Sequence, residues 1–366
     1  MKTLKKILGF ILCLLLIIAM VAGIWYAVLS YNGKQMAASV ERLDTDGTLY
    51  SMDCTENIYS PLISLPLKVF TFDSRPACTA FAVRNEEGDA ITGRNFDFPH
   101  KKADGTITGL NVLLRCKPKG KYRSICMADA ALISTISKDY CEAAYDSPDT
   151  RLSFTSLMPY ICMDGMNEKG LTVSILYLDL KDGEQAVYQE EPGKEKVLIS
   201  YLVRYMLDSC ATVSEAETLA RSYNLTNLMN NDYHLFVTDA DGVSAAFEWR
   251  YNELSVTYTD VVTNFYVGYG DAEDSKFFEE RAYVSKEYHY GYGHGYDRFN
   301  TAVKVLDGKQ SLSEAEALSL LSDVAQEYTG EATSCTQYSV VYNSTDLTVT
   351  VRSARDGSIH EFSLEE

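Results

Sequence analysis

The sequence predicts a layered α+β fold, and three observations carry that prediction. Apolar, β-prone runs are short and separated by turn-forming residues, helical periodicity is confined to a few stretches, and two of those stretches open on capping boxes. At 366 residues and 46% hydrophobic composition the chain is long enough to bury one large core, and it holds no internal repeat or low-complexity tract.

The elements follow in order. Lys2, Lys5 and Lys6 precede residues 7–29, an uncharged apolar run longer than the roughly 20 residues a helix needs to span a bilayer. Residues 1–33 therefore read as a signal anchor or a secretory signal peptide, with the lysines keeping the N-terminus inside. The rest of the chain is expected outside the cytoplasmic membrane, anchored by that helix or secreted after processing. Residues 34–77 mix charges, turn formers and one short apolar piece, and read as a linker or pro-segment.

Next come Cys78-Thr79-Ala80-Phe81-Ala82-Val83-Arg84 and Ala90-Ile91-Thr92-Gly93-Arg94-Asn95-Phe96-Asp97-Phe98, joined by the polar Asn85-Glu86-Glu87-Gly88-Asp89. This is a β-hairpin pattern. A hairpin folds its far arm back on its near one, which brings Arg94 and Asp97 close to Cys78. A guanidinium beside a thiol favours the nucleophilic thiolate, and the carboxylate can orient an amine. By residue type alone, the same Cys also reads as a small buried hydrophobe and the Arg and Asp as a surface pair.

Further strands are predicted at residues 110–114, 122–127, 171–178, 234–238, 243–249, 254–259, 261–267, 338–342 and 347–352. A helix is predicted over 197–207, where Leu198, Tyr201, Leu202, Tyr205 and Met206 share a face. Two more start behind Thr212-x-x-Glu215 and Ser311-x-x-Glu314, running over 216–223 and 315–328. Asp239-Ala240-Asp241-Gly242 reads as a hairpin turn, because the other ligands of a calcium loop are missing.

The formal charge of −18 argues against a nucleic-acid partner, since phosphate binding needs clustered Lys and Arg. It also disfavours adhesion to anionic lipid, which leaves the N-terminal helix as the membrane contact. The nine cysteines show no metal-site or disulfide-framework spacing, and setting aside Cys13 and Cys78 leaves an odd number, so complete pairing is impossible.

The pattern Cys-Thr followed by Gly-Arg-Asn-x-Asp-Phe resembles the start of the active chain in the choloylglycine hydrolase family, which includes bile salt hydrolases and penicillin V acylases. Three later stretches are similar to that family as well. Asp164-Gly165-Met166-Asn167-Glu168-Lys169-Gly170-Leu171 looks like its Asp-Gly-Met-Asn-Glu-Lys-Gly-Leu turn, itself structural, and sets Tyr177 where bile salt hydrolases tend to carry Asn and penicillin V acylases Tyr. Val261-Val262-Thr263-Asn264 resembles a segment whose Asn helps hold the oxyanion. Asp297-Arg298-Phe299 is similar to a Ser-Arg-Phe that supplies a second arginine, although Asp297 departs from the usual Ser.

The resemblance implies a four-layer αββα sandwich of the N-terminal nucleophile hydrolase type over residues 78–366. It also implies hydrolysis of a linear carbon–nitrogen amide bond in a small N-acyl substrate, with no metal and no organic cofactor. Cys78 would be the nucleophile and, once Ala77 is cut away, its own α-amine the base. Arg94, Asp97, Asn264 and Arg298 would complete the catalytic set, and Tyr177 would touch substrate. The tyrosine-rich stretch 288–296 suits an acyl pocket or a glycine-loosened surface loop. Two rival readings stand beside this one: a thiol hydrolase pairing Cys78 with His100, and a non-catalytic membrane-tethered binding protein. Homo-oligomerisation is open.

Overall fold

The computed structural model describes residues 33–55, 77–98, 109–130, 155–178, 189–226, 232–250, 252–267, 295–327 and 334–365. The expected N-terminal helix, His100 and residues 288–294 lie outside these. Among the described residues, no helix is long and apolar enough to cross a membrane.

The described residues open on helix at 33–38, and two strands follow inside the stretch expected as linker or pro-segment, β1 (Glu41–Arg42) and β2 (Leu49–Cys54). The predicted hairpin follows as β3 (Ala77–Arg84) and β4 (Ala90–Phe98), antiparallel with Cys78 opposite Phe96. Then come β5 (Asn111–Cys116), β6 (Ser124–Asp129), β7 (Cys162–Asn167), β8 (Thr172–Leu178) and β9 (Glu195–Leu198). Helices α1 (Ile199–Ser209) and α2 (Val213–Arg221) lead into β10 (Tyr223–Thr226). The next strands are β11 (Asp232–Thr238), β12 (Ser244–Arg250), β13 (Glu253–Tyr258) and β14 (Val261–Val262). Helices α3 (Gly295–Gly308) and α4 (Glu314–Asp323) precede β15 (Cys335–Asn343), β16 (Thr348–Ser353) and β17 (Ile359–Ser363).

Two sheets hold most of these strands. One is nine-stranded in the order β1-β2-β5-β6-β7-β8-β11-β12-β13, and the other six-stranded in the order β14-β3-β4-β15-β16-β17. Every residue of β8, β4 and β15 is buried, so both faces of each sheet are covered at its middle. Helix α1 packs on β7 and β8, while β3 of the other sheet approaches β8. On the far side α3 packs on β3 and β14, and α4 on β15 and β4. Helices, sheet, sheet and helices follow one another in this order.

Alternation along the strands sorts the side chains between two cores. Cys78, Ala80, Phe96 and Phe98 point between the sheets, whereas Phe81 and Ile91 point under α3 and α4.

Several predicted boundaries move, each for a local reason. Thr212 caps α2 as expected, its hydroxyl accepting from the Glu215 amide at 3.2 Å, but the helix stops at Arg221 because residues 223–226 pair with β9. The capping box of α4 is Ser313 with Glu316 instead of Ser311 with Glu314. The two frames overlap in sequence, and Leu312 settles between them: it is buried and its N–H donates to the Arg84 carbonyl at 3.0 Å, so it belongs to the approach. The helix predicted over 197–207 starts two residues later, after β9. The strand predicted over 261–267 ends at Val262. Strands β1, β2, β7, β9, β10 and β17 and helix α3 went unpredicted.

Two glycines are needed where they stand. Gly170 closes the turn before β8 at φ +77° with the Ser344 carbonyl against it. Gly93 lies opposite Phe81, and a Cβ there would overlap the Phe81 ring. Gly93→Ala should lower the unfolding free energy by about 1–3 kcal/mol, as over-packing does. A urea titration reads this as a lower midpoint with unchanged slope, and an unchanged midpoint would contradict the packing.

Candidate active site

Cys78 is the second residue of β3 and is 2% exposed. The even-numbered side of β4 faces it, so Arg94 comes to it between the sheets: Nη2 lies 3.5 Å from Cys78 Sγ and donates to the Ile175 carbonyl at 2.6 Å. Nη1 forms an ion pair with Asp164 on β7, and also donates to the Tyr338 hydroxyl at 3.0 Å. Tyr338 in turn donates to Asp164 at 2.6 Å, as does Tyr342. Both ions are fully buried. Burial opposes the charge on Arg94, but Asp164, Tyr338, Cys78 and Tyr342 together, Asp164 foremost, outweigh it and hold the guanidinium protonated.

Asp97 and Arg298 act on the opposite face. Asp97 is three residues from Arg94, an odd step, so its side chain points toward the helix layer. There Thr336 donates to Oδ1 at 2.6 Å and Gln326 to Oδ2 at 2.8 Å. Arg298, in the first turn of α3, lies 3.6 Å from Asp97 Oδ2. Its Nη1 also donates to the Cys78 carbonyl at 2.6 Å and to the Thr79 hydroxyl, and its Nη2 to Asn264 Oδ1 at 2.6 Å. Burial raises the Asp97 carboxyl above its usual range against the pull of Arg298, Thr336 and Gln326.

Asn264 meets the backbone nitrogen of Cys78 directly. Its Oδ1 accepts from Cys78 N at 3.1 Å, and its Nδ2 donates to the Tyr177 carbonyl at 2.8 Å. Two donors on one side and a carbonyl on the other fix the orientation of the amide. The residue stands two places beyond β14, whose Val262 pairs with Ala80 of β3. A buried scaffold holds this segment: His234 Nε2 donates to the Thr263 carbonyl at 2.8 Å, His234 Nδ1 meets Glu248 at 3.1 Å, and Thr263 donates to the Gly295 carbonyl at 2.8 Å. Tyr177 brings its backbone carbonyl to Asn264, while its ring packs edge-on against Tyr233 at 6.1 Å.

The five residues predicted as catalytic therefore converge on one end of β3, with Tyr177 beside them. Burial pushes the Cys78 thiol up; Arg94 and Arg298 pull it down, but burial wins in the chain with residue 77 attached. Sequence reasoning missed the residues that hold the site: Asp164, Tyr338, Tyr342, Thr336, Gln326, His234 and Glu248. The one available signal was Asp164, a carboxylate in a stretch otherwise read as a turn.

Asp164→Asn should strip the Arg94 charge of its partner and destabilise the protein by about 3 kcal/mol or more, measured by urea unfolding. A loss below ~1 kcal/mol would mean that the pair is not what holds Arg94. In chain whose Ala77–Cys78 bond is intact, the pH of half-maximal alkylation of Cys78 should lie above the 9.0 ordinary to a thiol. A midpoint below 9.0 would show a stabilised thiolate instead.

The family model for linear amide C-N hydrolases of the choloylglycine hydrolase family matches residues 78–265, more than half of the chain. Two variant structures of conjugated bile acid hydrolase from Clostridium perfringens align with 79% of this chain at 17% identity. They are covered over 92% and 93% of their own lengths, with TM-scores of 0.51 and 0.52. Penicillin V acylase from Agrobacterium tumefaciens aligns over 79% of this chain and 87% of its own, at 18% identity and a TM-score of 0.51. At such identities these likenesses speak for a shared fold. With the family match starting at Cys78 itself and taking in Arg94, Asp97 and Asn264, the chain belongs to the choloylglycine hydrolase family of linear amide C-N hydrolases.

Proposed function

We propose that this protein hydrolyses the amide bond of a small N-acyl substrate with Cys78 as an N-terminal nucleophile, in a four-layer fold of the N-terminal nucleophile type. The observation that carries the reading is the position of the Cys78 backbone nitrogen, 3.1 Å from Asn264 Oδ1, in a residue whose Sγ meets Arg94 and whose carbonyl meets Arg298. A nitrogen so placed becomes a base once it is an amine.

The first step releases it. Cys78 Sγ attacks the Ala77 carbonyl, the thiol proton passes to the departing nitrogen, and a thioester joins Ala77 to Sγ. Water cleaves that thioester, leaving the Ala77 carboxylate, the Cys78 thiol and a free α-amine. The pairing register sets Asp97 opposite Ala77, next to the nitrogen being freed.

In turnover the amine takes the thiol proton and Sγ attacks the substrate carbonyl. The second N–H of Asn264 Nδ2 is available to the oxyanion as charge develops. The ammonium returns its proton to the leaving amine, the thioester forms, and water hydrolyses it to the free acid. Arg94 and Arg298 supply positive charge on either side of the strand, and no step requires a metal or organic cofactor. Tyr177 leans the acyl pocket toward penicillin V acylase-like over bile salt hydrolase-like substrates. The apolar run 7–29 behind three lysines supports an extracytoplasmic, membrane-anchored or secreted location.

Cys78→Ala should abolish turnover of a panel of phenoxyacetyl amides, bile salts, N-acyl amino acids and acyl homoserine lactones, read as released amine. Intact mass should place the active chain's first residue at Cys78. An active chain that still carries Ala77 would refute the mechanism, and near-normal turnover by Cys78→Ser would refute thiolate chemistry.

A further inference from the structure

The segment that precedes the proposed cut is built into the nine-stranded sheet. Strand β2 pairs in parallel with β5 over six residues, from Leu49 opposite Asn111 to Cys54 opposite Cys116. Hydrogen bonds lock both ends: Asn111 N donates to the Thr48 carbonyl at 2.9 Å, and Lys117 N to the Cys54 carbonyl at 2.7 Å. Met36, Leu49, Met52 and Cys54 are buried in the same core as Cys78.

Polar contacts tie the segment to the other sheet as well. Ser353 at the end of β16 donates to Asp44 Oδ2 at 3.3 Å, and the Thr45 amide to Asp356 Oδ2 at 2.7 Å. None of these contacts runs through residue 77. Without β2, strand β5 would become an open edge whose Leu113 and Leu114 are now fully buried, the exposure that promotes chain-to-chain pairing.

We infer that the N-terminal fragment stays with the enzyme after the cut as a donated strand, so that the active form is a two-chain assembly and not residues 78–366 alone. This rests on the proposed cleavage before Cys78. The fragment's binding mode is addition of a strand to a sheet edge, where main-chain pairing gives affinity and the alternate side chains Met52 and Cys54 fill the core. Removal of the leader thus frees the Cys78 amine without dismantling the sheet.

The test uses the full-length protein in mild detergent and reducing buffer, with a protease recognition sequence placed within residues 56–76. After cutting, gel filtration with mass spectrometry should find the N-terminal fragment one to one with the body, and hydrogen exchange should leave the amides of β5 as slow as before. Loss of the fragment, whether the body then stays soluble or aggregates, overturns the inference, as does fast exchange across β5. The naturally processed protein is read separately. A body beginning elsewhere than Cys78 would sink the proposed mechanism while the engineered cut still reports on the strand.

Discussion

The charge on Arg94 has no exposure to water, and the site depends on how that charge is held. Asp164 supplies the counter-ion, and two tyrosine hydroxyls donate to the same carboxylate, so the acid is satisfied without solvent. That arrangement leaves Nη2 of Arg94 for the Ile175 carbonyl and for Cys78 Sγ. The participants sit on β3, β4 and β15 of one sheet and on β7 and β8 of the other. The ion pair therefore holds the two sheets in register at the point where it also presents a cation to sulfur. Removing one partner from such a buried pair leaves an uncompensated charge at a cost of roughly 3–5 kcal/mol, a large share of a domain's net stability.

Strand parity explains why two arginines can serve one cysteine without repelling each other across open space. Cys78 points between the sheets and meets Arg94 there, while its own carbonyl and the neighbouring Thr79 meet Arg298 from the helix layer. Asp97 lies on the second face, three residues from Arg94, and so balances Arg298 instead of competing with Asp164 for Arg94. The pleat acts as a partition between two ion pairs, each with its own set of neutral donors.

The hairpin was legible from sequence because its signal is local: two β-prone arms, a polar turn, and chemistry-bearing residues on the far arm. Asn264 and Arg298 became visible only through resemblance, since nothing local distinguishes an Asn after a strand or an Arg opening a helix. The supporting residues had no such signal. Asp164 meets Arg94 across a sheet-to-sheet contact, and Thr336 meets Asp97 through a register that bulges between Thr336 and Tyr338. Both depend on packing between elements distant in sequence. Strand β2 was missed for a related reason: its pairing with β5 is parallel and non-local, so no turn marks it, and the polar residues around it read as linker.

On the proposed mechanism, cutting one bond changes the chemistry at Cys78 N while its contacts stay as they are. An amide nitrogen donates a hydrogen bond but does not take a proton, and here it donates to Asn264 Oδ1. An amine at the same position donates to the same oxygen and in addition accepts. The acceptor is itself fixed by Arg298 on one side and by the Tyr177 carbonyl on the other, so on the proposed mechanism it would hold the nitrogen in place after the cut as it does before. Burial meanwhile keeps the uncut thiol neutral against two guanidinium charges. The uncut site is thus nearly complete in geometry and lacks only a proton acceptor beside the sulfur, which hydrolysis of the Ala77–Cys78 bond would supply.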